Sequence, residues 1–117
     1  MDLDAAIGIH AQWKAKLRGA IENSETLDVD SISADNCCEL GQWLSGDAKR
    51  LMGASPALED CIAKHAAFHR EAGLVAEVIN AKKLADAAAM ISNGTPYANA
   101  SVAVGAAIIR LMQEFPS

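Results

Sequence analysis

Aromatic residues are scarce in this sequence: Phe, Trp and Tyr make up only 4% of 117 residues, although 51% of the residues are apolar. Alanine dominates the apolar fraction. Sheets favour aromatic and β-branched residues, whereas alanine is the strongest helix former. The composition therefore predicts closely packed helices. At this length, we expect one domain over residues 1–117.

Clustered basic residues and long apolar runs are also missing. The formal net charge is −5, and nucleic-acid binding needs grouped Lys and Arg to displace counterions from phosphates, so no nucleic-acid partner is expected. No apolar run approaches the roughly 20 residues that span a bilayer. The first residues lack the basic-then-apolar pattern of a signal peptide. We therefore expect a cytoplasmic protein with no membrane partner.

Cysteine occurs only three times, as Cys37, Cys38 and Cys61. An odd number with two adjacent members does not suit the disulfide framework of a secreted protein. Reduced thiols or metal ligands are the better interpretation.

Apolar residues recur with helical spacing almost throughout, and no alternating strand pattern of useful length is present. The stripe weakens at 80–82, where a helix can break and leave 84–91 as a separate piece. Short connections then predict an all-α, antiparallel four-helix-type bundle. The predicted helices cover 3–22, a segment from Ser31 or Ser33 to 50–52, a segment from a Ser55 cap and Pro56 to about 79, and 97–114 after a Thr95 cap.

His10 and His65 fall on apolar stripes of these predicted helices. His65 and His69 are four residues apart, so their side chains share one helix face with Cβ atoms about 6 Å apart and can reach one metal ion. His10 faces the core from the first helix. Taken singly, each is more often a hydrogen-bonded core residue. Taken together, they form a candidate metal site.

A cysteine is the natural fourth ligand, because Zn²⁺ takes four nitrogen and sulfur ligands in a tetrahedron. Cys61 lies about 12 Å along the predicted helix from His69, too far to share one ion, and is interpreted as a core residue. Cys37 falls on an apolar stripe, and Cys38 points about 100° away from it. Periodicity slightly favours Cys38 for chemistry and leaves the choice open.

Three motifs occur in order along the chain, separated by 24 and 21 residues: His10-Ala11-Gln12-Trp13, Cys38-Glu39-Leu40-Gly41-Gln42-Trp43 and His65-Ala66-Ala67-Phe68-His69. Together they resemble the chemoreceptor zinc-binding domain family, whose pattern is His-x-x-aromatic, Cys-x-aliphatic-Gly-x-Trp and His-x-x-x-His. The resemblance covers nearly the whole chain, and no motif position departs from the pattern. It implies a four-helix-type bundle, often a homodimer, with Zn²⁺ bound by His10, Cys38, His65 and His69.

In that family, the domain serves bacterial signalling proteins and is attached to chemoreceptors or diguanylate cyclases. It reports zinc, or oxidants such as hypochlorous acid, to its partner. The resemblance therefore implies a non-enzymatic regulatory or sensory domain of chemotaxis or cyclic-di-GMP control. Loss of zinc is expected to loosen the bundle, and the Cys38 thiolate is the ligand that oxidants attack.

Alternative functions use the same histidines. In a zinc hydrolase, three histidines hold a metal-bound water as nucleophile, but no Glu adjoins His65 as metalloprotease motifs require. A di-iron bundle needs Glu-x-x-His pairs, and no Glu stands three residues before a His. A purely structural bundle would bind no metal.

Residues near the ligands have expected supporting roles. Trp13 and Trp43 are expected to pack around the site and exclude water. Gly41 costs about 1 kcal/mol inside a helix, which indicates a close approach at that level. Metal-bound histidines usually donate their second ring N–H to an acceptor. The carboxylates considered for that role, among which the sequence does not choose, are Glu39, Asp60 and Glu71.

Overall fold

The computed structural model describes residues 1–36, 38–53 and 55–114, and within these ranges the chain is helical with no strand. The all-α prediction is therefore confirmed. The helices are α1 Leu3–Ala11, α2 Trp13–Asn23, α3 Val29–Ser33, α4 Glu39–Ser45, α5 Asp47–Met52, α6 Pro56–Asn80, α7 Leu84–Met90 and α8 Pro96–Glu114. In the described ranges, none of these helices is both long and apolar enough to cross a membrane.

The longest helix, α6, begins where its capping residues predict. The Ser55 hydroxyl accepts a hydrogen bond from the Leu58 N–H at 3.3 Å, and Pro56 occupies the first helical position, where its missing N–H costs nothing. The helix ends at Asn80, and Lys82 adopts a left-handed φ of 63°. The predicted break at 80–82 is therefore confirmed, and α7 is a separate helix.

The last helix, α8, also begins at its predicted cap. The Thr95 hydroxyl oxygen accepts a hydrogen bond from the Ala98 N–H at 3.2 Å. The same hydroxyl donates to the Ser92 carbonyl at 2.8 Å, which ties the cap to the end of α7. Both predicted ends of α8 are confirmed to within one residue.

The first predicted helix, 3–22, is present as α1 and α2, which only Gln12 separates. Gln12 keeps a right-handed backbone with φ −73° and ψ −14°, and its carbonyl accepts the Lys16 N–H at 3.1 Å. The interruption is therefore slight. The left-handed φ of 51° at Ser24 ends α2 one residue beyond the prediction.

The prediction of one continuous second helix is wrong, because its segment forms α3, α4 and α5. Neither predicted serine caps α3: the Asp28 carboxylate accepts from the Ser31 N–H at 3.3 Å and starts that helix earlier. Cys38, expected inside a helix, has an extended backbone with φ −94° and ψ 159° and caps α4. Gly46, with φ −116° and ψ −99°, separates α4 from α5.

The chain runs up and down against α6. Ile32 contacts His69 and Cys38 contacts His65, so the α3–α4 region runs antiparallel to α6. The α1–α2 segment runs in the other direction, because His10 lies beside His65 and the connection that follows α2 reaches the end of α6. α6 packs against α8, α3, α2 and α4, while α1 packs on α8. The bundle is therefore closed on one side by short helices.

Hydrogen bonds hold the α2–α3 connection on the end of α6. The Asn80 amide donates to the Leu27 carbonyl and accepts from the Leu27 N–H, both at 2.8 Å. The Lys82 ammonium donates to the Ser24 carbonyl at 2.9 Å. We call Asn80 and Leu27 the end clamp of the bundle.

Candidate metal centre

The structure brings all four predicted ligand residues together. One ligand atom from each of His10, Cys38, His65 and His69 lies within 4.8 Å of the corresponding atoms of the other three. The imidazoles come from α1 and α6, and the thiol comes from the residue that caps α4. Three separate parts of the chain therefore meet at one group of nitrogen and sulfur atoms.

Two of the imidazoles lie one turn apart on α6, as the spacing predicts. The Nε2 atoms of His65 and His69 are 3.1 Å apart, and the two side chains are 1% and 2% exposed. Burial, with the neighbouring rings of His69 and His10, lowers the pKa of His65 to about 3. His65 therefore remains neutral at ordinary pH, which is the form that binds a metal.

His10 supplies the third imidazole. Its Nδ1 donates to the Ala6 carbonyl at 2.8 Å, which leaves the lone pair on Nε2. The Nε2 atom is buried and has no hydrogen-bond partner in the described chain. Burial lowers the pKa of His10, although the bond to Ala6 opposes this shift. A bound cation would explain why so buried an acceptor lacks a donor.

Backbone carbonyls orient two of the rings. His69 Nδ1 donates to the Ile32 carbonyl at 2.9 Å, as His10 Nδ1 does to Ala6. Such bonds fix the ring orientation and place the Nε2 lone pair toward the metal side. No imidazole bond to any of the three carboxylates considered from the sequence is found among the described residues, and Asp60 instead pairs with Lys64 at 3.8 Å.

The sequence could not reveal the Ile32 acceptor, because a carbonyl carries no residue-specific signal. Ala6 is different, since it stands four residues before His10 on the same helix. A histidine ring that turns back along its own helix reaches the carbonyl four residues earlier. The position of His10 on the predicted helix was therefore enough to suggest Ala6 as its acceptor.

Cys38 reaches the cluster because it lies just before α4 rather than within it. Its Sγ atom is 3.1 Å from His65 Nε2 and accepts the Gly41 N–H at 3.3 Å. In the metal-free protein, burial raises the pKa of the Cys38 thiol, and the Gly41 N–H partly offsets this effect. Position at a helix N-terminus favours the thiolate, as a metal ligand requires.

The donor set fits a tetrahedral Zn²⁺ ion. Bonds of about 2.0–2.1 Å to nitrogen and 2.3 Å to sulfur place tetrahedral ligands about 3.3–3.6 Å apart. The two 3.1 Å separations at His65 need only small adjustments. Nitrogen and sulfur are both ligand atoms that Zn²⁺ takes in tetrahedral sites, and softer sulfur disfavours Mg²⁺ or Ca²⁺.

Aromatic side chains pack against the histidines of the centre. Phe68 is fully buried, with ring centroids 5.4 Å from His10 and 5.5 Å from His69. Trp13 contacts the His69 ring at 6.4 Å, and Trp43 is partly buried against the core. The expected packing at the site is therefore found for Trp13, and for Trp43 it stays a prediction.

The other cysteines differ in placement. Cys61 is fully buried, stands outside the four-residue cluster and has a pKa raised to about 11 by burial. Its interpretation as a core residue is confirmed. Cys37 lies outside the described residues.

A helical bundle that groups three buried histidines with one half-buried cysteine defines the chain as a candidate metal-binding domain. The model of the chemoreceptor zinc-binding domain family matches residues 10–76, more than half of the chain and all four cluster residues. The chain belongs to the chemoreceptor zinc-binding domain family. Comparison with curated proteins and with solved structures gives no significant match.

Proposed function

We propose that this chain is a zinc-binding regulatory domain of bacterial signalling in which His10, Cys38, His65 and His69 are the zinc ligands. The observation that carries the proposal is the convergence of four ligand atoms within 4.8 Å, with the buried His10 Nε2 lacking any described protein partner. Family membership supports zinc as the metal.

A complete set of four protein ligands supports a regulatory role over a catalytic one. Four protein ligands fill a tetrahedral shell, whereas catalytic zinc sites keep one position for water or substrate. The zinc hydrolase alternative needs the Cys38 sulfur to stay unbound. Its position 3.1 Å from His65 Nε2 supports ligation instead.

The same contacts support a mechanism for signalling. His69 Nδ1 donates a hydrogen bond to the Ile32 carbonyl, and the Cys38 sulfur accepts one from the Gly41 N–H at the start of α4. The segment 32–38 is thus fixed at both ends by groups of the centre. Bound zinc keeps Cys38 as a thiolate. If that sulfur leaves the centre, α4 loses its cap and the segment loses one anchor, which changes the surface offered to a partner.

Oxidation is the proposed signal that releases the sulfur. The Cys38 thiolate attacks the chlorine of hypochlorous acid, the O–Cl bond breaks, and hydroxide leaves. Water then replaces chlorine on sulfur, giving a sulfenic acid, chloride and a proton. A neutral sulfenic acid is a poorer ligand than a thiolate. A fall in free zinc, which would release the ion from the centre, is the second proposed signal. Oxidation and zinc loss would act on the same four residues.

The wider setting is also proposed from the family. The chain is proposed to act in the cytoplasm as a single domain over 1–117, to form a homodimer, and to serve a chemoreceptor or diguanylate cyclase type of partner. Exposed apolar residues on α8 offer a surface for such contacts, with Val102 75% and Ile109 47% exposed.

Metal analysis tests the zinc proposal. Protein purified without added zinc is expected to hold one zinc ion per chain, measured by mass spectrometry, with three nitrogens and one sulfur found by X-ray absorption. Iron, or no metal after zinc is supplied, would remove the proposal. Three nitrogens and one oxygen would favour the hydrolase.

A further inference from the structure

The connection between α7 and α8 contains the pair Asn93-Gly94, and Asn93 is the one asparagine of the sequence that precedes a glycine. Both residues are exposed. Gly94 has a φ of 82°, in the left-handed region that glycine adopts without strain. The Thr95 hydroxyl donates to the Ser92 carbonyl at 2.8 Å, so the pair occupies the centre of a closed turn.

An asparagine side chain can react with the backbone that follows it. The next backbone nitrogen must then be able to approach the side-chain amide carbon, which a hydrogen bond on either group opposes. In the described parts of the chain, the Gly94 N–H donates no hydrogen bond and the Asn93 side chain makes none. A Cβ added at Gly94 would meet nothing within 4 Å, so the turn is open on that side.

Asn80 shows the opposite arrangement. Its side chain exchanges two hydrogen bonds with the backbone of Leu27, both at 2.8 Å. The N–H that follows it, on Ala81, donates to the Glu77 carbonyl at 3.0 Å. The same reaction at Asn80 requires these bonds to break, which happens only when the end of α6 opens.

We propose that Asn93 is a site of spontaneous deamidation, at which the chain modifies itself without an enzyme. The Gly94 nitrogen attacks the side-chain carbonyl carbon of Asn93, a new C–N bond forms, and the C–N bond of the side-chain amide breaks. The amide nitrogen leaves as ammonia and takes the Gly94 N–H proton. Water then opens the resulting succinimide ring: its hydroxyl adds to one ring carbonyl and its proton returns to the nitrogen. The products are aspartate and isoaspartate.

The products change the charge and the backbone of the turn. The formal net charge goes from −5 to −6, because one carboxylate replaces one neutral amide. Asn93 lines a surface groove with Lys14, Arg18 and Glu22 of α2, so the new charge joins two cations and one anion there. Isoaspartate also adds one backbone atom between Ser92 and the capping residue of α8.

The test is incubation of the full zinc-loaded chain in near-neutral buffer, followed by peptide mass spectrometry with fragmentation that distinguishes isoaspartate from aspartate. Asn93 is expected to convert at least about tenfold faster than Asn80, because only the second reaction requires local opening. Ammonia is expected to appear in step with the loss of Asn93. Asn93→Asp protein marks the position of the aspartate product in ion-exchange chromatography.

A parallel incubation in urea separates the fold from the sequence. Unfolding is expected to change the rate at Asn93 by less than about threefold, since the folded turn already leaves both reacting groups accessible, and to raise the rate at Asn80. Acceleration of Asn93 by tenfold or more on unfolding would overturn the proposal, because the fold would then protect the residue. Equal rates at the two asparagines in the folded chain would also overturn it.

A glycine variant tests the attacking residue. Gly94→Ala is expected to slow conversion of Asn93 by about tenfold or more, because a Cβ crowds the nitrogen and disfavours the left-handed backbone. Gly105→Ala on α8 is the matched control and is expected to react like the parent. An unchanged rate in Gly94→Ala would refute attack by this nitrogen. The comparison of Asn93 with Asn80 uses the parent chain, and zinc content is measured separately, so the outcome is independent of the metal site.

Discussion

The Asp35 carbonyl lies directly against the α-carbon of Gly41, so that a Cβ on residue 41 would overlap its oxygen. The same Cβ would come within 3.1 Å of His65 Cε1. Gly41 is in the first turn of α4 and donates its N–H to the Cys38 sulfur. The missing side chain therefore lets a loop, a helix and His65 approach one another at the candidate metal centre.

Gly41→Ala is expected to destabilise the protein by about 1–3 kcal/mol and to weaken zinc binding, because either the loop or the α4 turn must move. Urea unfolding of the zinc-free chain and a competitive zinc titration measure the two effects. The matched control is Gly105→Ala on α8, where an added Cβ meets nothing within 4 Å. That change is expected to stabilise by about 0.5–1 kcal/mol. Equal stability of the two variants would contradict the close approach.

Cys38→Ala is expected to lower zinc affinity by about 100-fold or more, since it removes one of the four proposed ligands and structural zinc sites contribute about 10–16 kcal/mol in all. Competition with a chromogenic chelator measures the change. Cys61→Ala is the control, because Cys61 is buried away from the cluster. It is expected to lower stability while leaving zinc affinity unchanged. Equal zinc affinities in parent and Cys38→Ala would refute ligation by the thiolate.

Free zinc is expected to raise the melting temperature of the parent chain. Binding to the folded state alone stabilises it by about 4 kcal/mol at a zinc concentration 1,000 times the Kd. A chelator should reverse the shift, as calorimetry at several buffered zinc concentrations would show. In His69→Ala, the melting temperature should depend little on the zinc concentration. If the melting temperature of the parent chain did not change with zinc concentration, the four residues would be core residues only.

Thiol alkylation separates Cys38 from Cys61. In metal-free Cys37→Ser protein, iodoacetamide is expected to modify Cys38 first, because Cys61 is fully buried and burial raises its pKa to about 11. Raising the pH toward that value increases the thiolate fraction of Cys61. Zinc should protect Cys38 and leave Cys61 unchanged. Mass spectrometry of peptides follows both sites, and zinc-independent modification of Cys38 would speak against metal binding.

Asn80→Ala is expected to destabilise the protein by about 1–3 kcal/mol, because both backbone groups of Leu27 lose their partner in the end clamp. Zinc affinity should change little, since the clamp is remote from the ligands along α6. The control is Asn23→Ala, which removes one exposed bond to the Gly19 carbonyl and should cost under about 0.5 kcal/mol. If both variants lost a similar free energy of unfolding, the end clamp would contribute no more than an exposed hydrogen bond.

The long helices could be predicted from the sequence, whereas the short ones could not. In α6 and α8, apolar spacing and capping residues such as Ser55 and Thr95 agree, so local and tertiary preferences give the same helix. Between 29 and 52, the apolar pattern is compatible with one helix. The extended backbone at Cys38 is stabilised by contacts with distant residues such as His65, which periodicity cannot register.

The sequence could predict which residues form the candidate site, but not which backbone carbonyls contact them. His65 and His69 follow from a four-residue spacing, but choosing Cys38 over Cys37 required the family pattern. Asp35 and Ile32 act through backbone carbonyls, and any residue type carries such a group. Their roles depend on the path of the chain, which only the fold determines.

The order of contacts along α6 also has a consequence for folding. Cys38 with His65, Ile32 with His69, and Leu27 with Asn80 are nested pairs separated by 27, 37 and 53 residues. Loop-closure entropy rises with loop length, and closing the inner pair shortens the loops that the outer pairs must close. We expect amides near His65 to gain protection from hydrogen exchange before those near Asn80 during refolding, and the opposite order would refute this sequence of events. Metal ligation at the innermost pair would then speed the assembly of the outer pairs.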